Sequence, residues 1–324
     1  MRSSRLGIFV LLALAVFLTT NCTYYNRIMS RKNLVDGSMA YKERKFEVAE
    51  DLFRRAAARD PKGETEEGRI AQVFLARTLH SRYIGNRSNS ALAEEAIREY
   101  QKALSINKDD QSSYKAVASL YENLQKQDEW KNWVTERANA GDIKPEYRAE
   151  ALTALAAKQN TCANEVSDTP ETKKTVKKDG KDAYQFVKPA NDADFQRMKA
   201  CIEEGNRLIE QAVQLEPDTV KTAAGLNPKS MTDEQLKSTL DLLKSFESAR
   251  SYRASLIIQR SRLAEMEGRN EDRDRLRDEA DKAKDEFTAL SDATKNLQNE
   301  IDTRKAAAEE AENANANANK AAAK

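Results

Sequence analysis

Few residues in this 324-residue chain offer reactive side chains: three Cys and one His. Cys22 follows a basic start (Arg2, Arg5) and an apolar run from Leu6 to Leu18, the make-up of an export signal and shorter than a membrane-spanning helix. A thiol there can be acylated, and Cys162 and Cys201 can be oxidised to a disulfide. His80 lies in "ARTLHSRY", where nothing local equips it as the base of a Ser–His–Asp arrangement, so it reads as a packing or surface residue. Two Cys and a distant His make no metal-ligand set, and no metal is expected. The spacings GxGxxG, GxxxxGK[ST] and GxSxG are absent, so no cofactor is expected either. Carboxylates are abundant, but runs of charge along helices belong on solvated faces. The chain reads as a non-enzyme.

The elements that must carry these residues are helices. Ten Gly and six Pro are less than half of what average usage would supply, roughly 23 and 16. A chain with so few turn residues has long helices and short joints, and an all-α fold with helix above about 65% follows. Lys and Arg number 54 against 53 Asp and Glu, which gives no electrostatic reason for nucleic-acid binding.

The segment "LTTNC" resembles the lipobox of bacterial lipoproteins, in which Cys22 would be lipidated and become the mature amino terminus. Thr19 and Asn21 depart from the aliphatic and small residues favoured there, and an uncleaved anchor or plain secretion are the alternatives. The resemblance implies membrane attachment through lipid on Cys22, in a bacterial cell envelope, at the outer membrane facing the periplasm. In that oxidising compartment Cys162 and Cys201 form an even pair, read as a disulfide with two inert thiols as the alternative.

A rhythm of steps 4, 3 and 5 recurs along the chain. It runs Ala49, Phe53, Ala56, Pro61; then Ala96, Tyr100, Ala103, Lys108; then Trp130, Val134, Arg137, Asp142; and finally Gly205, Ile209, Ala212, Pro217. Gly37 precedes Ala49 by the same interval that separates Ala118 from Trp130, and Tyr114, Val117, Ala118 and Tyr121 fill the preceding helix. This pattern resembles the tetratricopeptide repeat (TPR), a helix–turn–helix unit that stacks into a solenoid; a generic all-α array is the alternative. The resemblance implies a groove lined by the first helices, with Leu34, Ser38 and Tyr41 in one unit and Lys115, Ser119 and Glu122 in another, holding an envelope protein or peptide.

The domain reading is therefore 1–22 export signal, 23–158 repeats, 159–194 a polar Lys-rich inserted loop, 195–232 a further degenerate unit and loop, 233–308 a long helical hairpin or coiled coil, and 309–324 a low-complexity Ala/Asn tail. Leu276, Ala280, Ala283, Phe287, Leu290, Thr294, Leu297 and Ile301 alternate steps of 4 and 3, a heptad seam. The seam is expected to face the 233–267 helix across a turn at Gly268 to Asn270, with self-association through 276–301 as the alternative. The function this implies is a non-catalytic interaction scaffold anchored in the envelope, with a self-assembling envelope protein using the carboxyl-terminal coiled coil as the rival and an envelope enzyme as the third reading.

Overall fold

A computed structural model describes residues 24–178 and 180–322, so the export signal and Cys22 lie outside the described residues. Helix makes up about 80% of the described residues, as the scarcity of Gly and Pro requires, and a single two-stranded sheet is present among them. The chain divides into two compact units between Trp130 and Lys131. The stretch 23–158, expected as one repeat array, is thus shared between them.

The first unit contains α1 (24–42), α2 (Phe46–Ala58), α3 (Glu66–Gly85), α4 (Ser90–Ile106), α5 (Gln111–Asn123) and the first turn of α6 (Gln127–Asn139). Ala49, Phe53 and Ala56 form one face of α2 and are fully buried. Gly37 on α1 lets the two helices approach closely, since a Cβ there would sit 2.8 Å from the Phe53 ring. Phe53 in turn rests on Phe74 of α3, with ring centroids 5.3 Å apart. Across α3 and α4 the buried Gln72 donates to the Glu99 carboxylate at 2.7 Å. Glu50 accepts from both Arg54 and Arg82, and Arg54 also reaches Glu95, tying α2, α3 and α4 together.

Two joints in this unit are built alike. Between α1 and α2, Arg44 adopts φ 60°, its N–H bonds to the Tyr41 carbonyl, and the Lys45 N–H reaches back to Ala40. Between α5 and α6, Gln125 adopts φ 58°, its N–H bonds to Glu122, and the Lys126 N–H reaches back to Tyr121. This left-handed exit satisfies the last carbonyls of a helix. It recurs at the sequence offset that relates Gly37 to Ala118 and Ala49 to Trp130. The middle pair, α3 and α4, is joined instead through Asn86–Asn89, the enlarged joint visible in "RYIGNRSNSA".

In the second unit, α7 (Pro145–Ser167) and α8 (Asp192–Gln214) are bonded by the expected Cys162–Cys201 disulfide, with Cα atoms 6.1 Å apart across a sequence separation of 39. The inserted segment differs from the expected loop over 159–194. Ala163, Val166 and Ser167 are buried, so α7 continues to Ser167. An antiparallel hairpin follows, β1 (Lys173–Lys178) with β2 (Lys181–Phe186), next to Gly180 at φ +74°. The hairpin is pinned by Phe186, which joins a buried cluster with Val166, Phe195, Met198 and Ile202 beside the disulfide. The guanidinium of Arg262 covers the Phe186 ring at 4.6 Å. Composition concealed this: five of twelve strand residues are Lys, and a single Phe supplies the anchor.

Residues 218–232 hold a short helix, α9 (Asp218–Lys221), and two single-turn helices. A capping box of Thr232 and Gln235 then starts α10 (Asp233–Met266), which α11 (Asn270–Ala322) follows. The turn between them lies at Glu267–Arg269, with Gly268 at φ +74°. The two helices run antiparallel: Arg277 bonds Glu265 near the turn, Lys244 bonds Gln298, and Arg304 bonds Asp233 at the far end. Leu276, Ala280, Ala283, Leu290, Thr294 and Leu297 are buried, while Phe287 and Ile301 are half-buried; Ala293 is buried as well. The expected boundary at 309 lies inside α11, because Ala is the best helix former and the tail is Ala-rich. Among the described residues, no helix is long and apolar enough to cross a membrane.

Candidate functional site

In the first unit the outer face of α3 forms the floor of a cleft of about 300 Å³. Ile70, Val73 and Phe74 supply its apolar surface, Ile106 closes it from the end of α4, and Arg69, Arg77 and Asp110 stand around it. All four apolar side chains remain half-exposed. α3 can hold them there because its opposite face, with Ala71, Leu75 and Leu79, supplies the core.

The charged groups at the cleft differ in what they have left to offer. Asp110 caps α5, and its carboxylate accepts from the Ser112 and Ser113 hydroxyls and from both backbone N–H groups. Burial works against its ionisation, but these donors outweigh it and hold the carboxyl below its usual range. Arg77 donates one hydrogen bond to the Ser112 Oγ and stacks on Phe74 at 5.6 Å. A guanidinium has five N–H donors, so Arg77 keeps capacity for a carboxylate. The cleft therefore suits an apolar side chain with an acidic neighbour.

The expected groove residues fall unevenly around this cleft. Tyr41 lies beside it: its ring meets Phe74 edge-on at 6.2 Å and its hydroxyl pairs with Ser81 at 2.9 Å. Leu34 packs against Ala56, Ala57 and Ala71, so it belongs to the helix contact. Ser38 Oγ bonds the Leu34 carbonyl within α1. Lys115, Ser119 and Glu122 are exposed on α5. The pattern of small and large positions does not mark the residues that line the cleft, although 66–85 is apolar on two faces, which one packing surface does not require.

Of the repeat positions, Ala96, Tyr100, Ala103, Tyr114 and Trp130 are buried, whereas Ala118 and Tyr121 are half-buried. Pro61 sits in the turn after α2. Gly205 faces Leu256 of α10, where a Cβ would approach to 2.7 Å; Ile209 and Ala212 are buried on the same helix, and Pro217 caps α9. His80 is half-buried with its Nδ1 3.4 Å from the Tyr100 hydroxyl, and burial lowers its pKa. Burial likewise pushes the Tyr100 hydroxyl far above the ordinary phenol range. Among the described residues no group of three or more His, Cys, Asp or Glu is placed to hold a metal ion. No protein-family model matches the chain, and no curated protein matches it either.

Proposed function

We propose that the protein is a non-catalytic scaffold of a bacterial cell envelope, anchored by lipid on Cys22 at the outer membrane and facing the periplasm. In this reading the first unit is a short TPR-like solenoid, and the cleft on α3 receives an apolar side chain from an extended or helical segment of an envelope protein. The observation that carries it is the recurrence of one joint at Arg44 and Gln125, at the same offset as the small-residue positions. Within the first unit α3 keeps an apolar and cationic strip, Ile70 and Val73 with Arg69 and Arg77, partly open beside the Phe53–Phe74 contact.

Two measurements test the reading. A photo-reactive residue at Val73 should trap a partner in intact cells, and Arg77→Glu should abolish the adduct. Adducts composed only of this chain would favour a self-assembling envelope protein, and an adduct indifferent to Arg77→Glu would dismiss the cleft. Intact mass of membrane-extracted protein should show acyl chains on Cys22; a mature mass without them rejects the anchor.

A further inference from the structure

α1 has two opposed faces. Ser30, Asn33, Gly37 and Ala40 are buried on one side, where the helix meets α2. On the other, Tyr24, Ile28, Val35 and Met39 are 69%, 49%, 49% and 53% exposed. At 3.6 residues per turn these four share an arc of about 60°, diametrically opposite the buried set. Arg31 and Lys42 border the arc on one edge and Lys32 on the other. The helix has four basic residues and one acidic, and that one, Asp36, lies outside the arc. Solvent alone does not account for four large apolar side chains aligned along a helix face that the core does not use.

We propose that this face of α1 docks on an anionic lipid surface. An apolar stripe edged by Lys and Arg and free of carboxylates is the composition of a helix lying in the bilayer interface. Tyr24, at the start of the stripe, suits the headgroup level, whereas Tyr25 lies off the arc beneath the Arg59 guanidinium. Covalent geometry supplies the position: Tyr24 is two residues from Cys22, a reach of at most about 7 Å. The placement therefore rests on the membrane-anchor reading above, while the charge pattern is independent of it. Docking lays α1 flat, so the first unit is held against the lipid rather than tethered at one point. Each basic residue near an anionic surface contributes roughly five-fold in partitioning.

The test uses the full chain in vesicles with brominated acyl chains, either pure phosphatidylcholine or containing three parts in ten phosphatidylglycerol by design (about 30%). Val35→Trp places an indole on the stripe; the parent chain gives the background of Trp130 and Trp133, and Met39→Trp is a second reporter. Bromolipid quenching of the added indole should be at least about two-fold stronger in anionic vesicles and should fall to the phosphatidylcholine level with Arg31→Glu plus Lys32→Glu. A chain that floats with vesicles while both reporters remain unquenched overturns the docking and leaves the anchor intact. Equal quenching in both vesicles overturns recognition of anionic lipid. An indole already shielded without vesicles means that protein covers the face, which also overturns the proposal. If Cys22→Ala floats as well as the parent yet is quenched, the docking stands and the lipid anchor fails.

Discussion

Replacing Gly37 with Ala tests whether α1 and α2 meet as closely as the structure places them. In a helix interior this change normally stabilises, by roughly 0.5–1 kcal/mol, because Gly loses more backbone entropy on folding. Here the added Cβ would lie 2.8, 3.0 and 3.1 Å from three atoms of the Phe53 ring. Phe53 has no exposed surface and is backed by Phe74 at 5.3 Å, so the ring cannot swing away cheaply. Overpacking of this kind costs roughly 1–3 kcal/mol. The clash exceeds the propensity gain, and Gly37→Ala should destabilise by about 1 kcal/mol. Gly85, at the end of α3, supplies the control: a Cβ there meets nothing within 4 Å, so Gly85→Ala should be neutral or slightly stabilising. Urea unfolding with separate probes for the two units is the assay, since two compact bodies need not unfold as one. Phe53→Leu makes room, so the double variant should recover part of the loss, a coupling of about 0.5–3 kcal/mol. If Gly37→Ala stabilises like Gly85→Ala and adds simply to Phe53→Leu, the close approach is wrong.

Burial holds the His80 pKa below 6.5, so the unfolded chain takes up its proton first. Stability is fully present above that ordinary value and should fall as the pH drops through the folded-state pKa. As the chain has one His, its single imidazole NMR titration should show a midpoint under 6.5, and His80→Gln should flatten the pH dependence of the thermal midpoint between about pH 7 and 5. Converting Cys162 and Cys201 to Ser opens a 39-residue link and should cost roughly 2–4 kcal/mol in urea, whereas an unchanged midpoint would show that the bond adds nothing. On α11, Leu297→Ala should cost about 2–4 kcal/mol and the half-buried Phe287→Ala nearer 1–2, and the reverse order would refute the assigned seam.

The helical fold was legible because every physical requirement of a helix lies in local sequence: few Gly and Pro, apolar faces at period 3.6, and a turn where Gly268 interrupts two long charged helices. Ala49, Phe53 and Ala56 announced their burial through spacing alone. What escaped was set by distant contacts. Phe186 is one aromatic among many Lys, and only the cluster formed by α7 and α8 turns its segment into a packed hairpin. The cleft escaped for a related reason. Ile70, Val73 and Phe74 look like core residues until the positions of α4 and α5 leave that side of α3 uncovered. Leu34 failed in the opposite sense: a position expected to face a partner turned into Ala56, Ala57 and Ala71. Spacing identifies which residues share a face; only packing decides which face is left over.

That distinction also bears on how the second unit relates to assembly. A heptad seam taken by itself is equally suited to another copy of the chain or to a neighbouring helix, because Leu276 to Ile301 carry no mark of their partner. In this unit α10 covers the seam, and α10 is itself engaged on other sides. Leu256 fills the space above Gly205 of α8, and Gln259 bonds Asn164 and Ser167 of α7. The ion pair of Arg250 with Glu216, two bonds of 2.8 Å in a largely buried setting, fixes the middle of α10 to the end of α8. Freeing the seam for a second copy would therefore expose Ile257 and Ala264, and moving α10 with it would break these contacts too. Removing one partner of a buried ion pair alone costs roughly 3–5 kcal/mol. A coiled coil between chains must first recover that loss, so the thermal midpoint of the full chain should not change over roughly a hundred-fold dilution. A midpoint that falls on dilution, with a dimeric sedimentation mass at the higher concentration, would mean that α10 yields its place, and the self-assembling reading would then displace the scaffold.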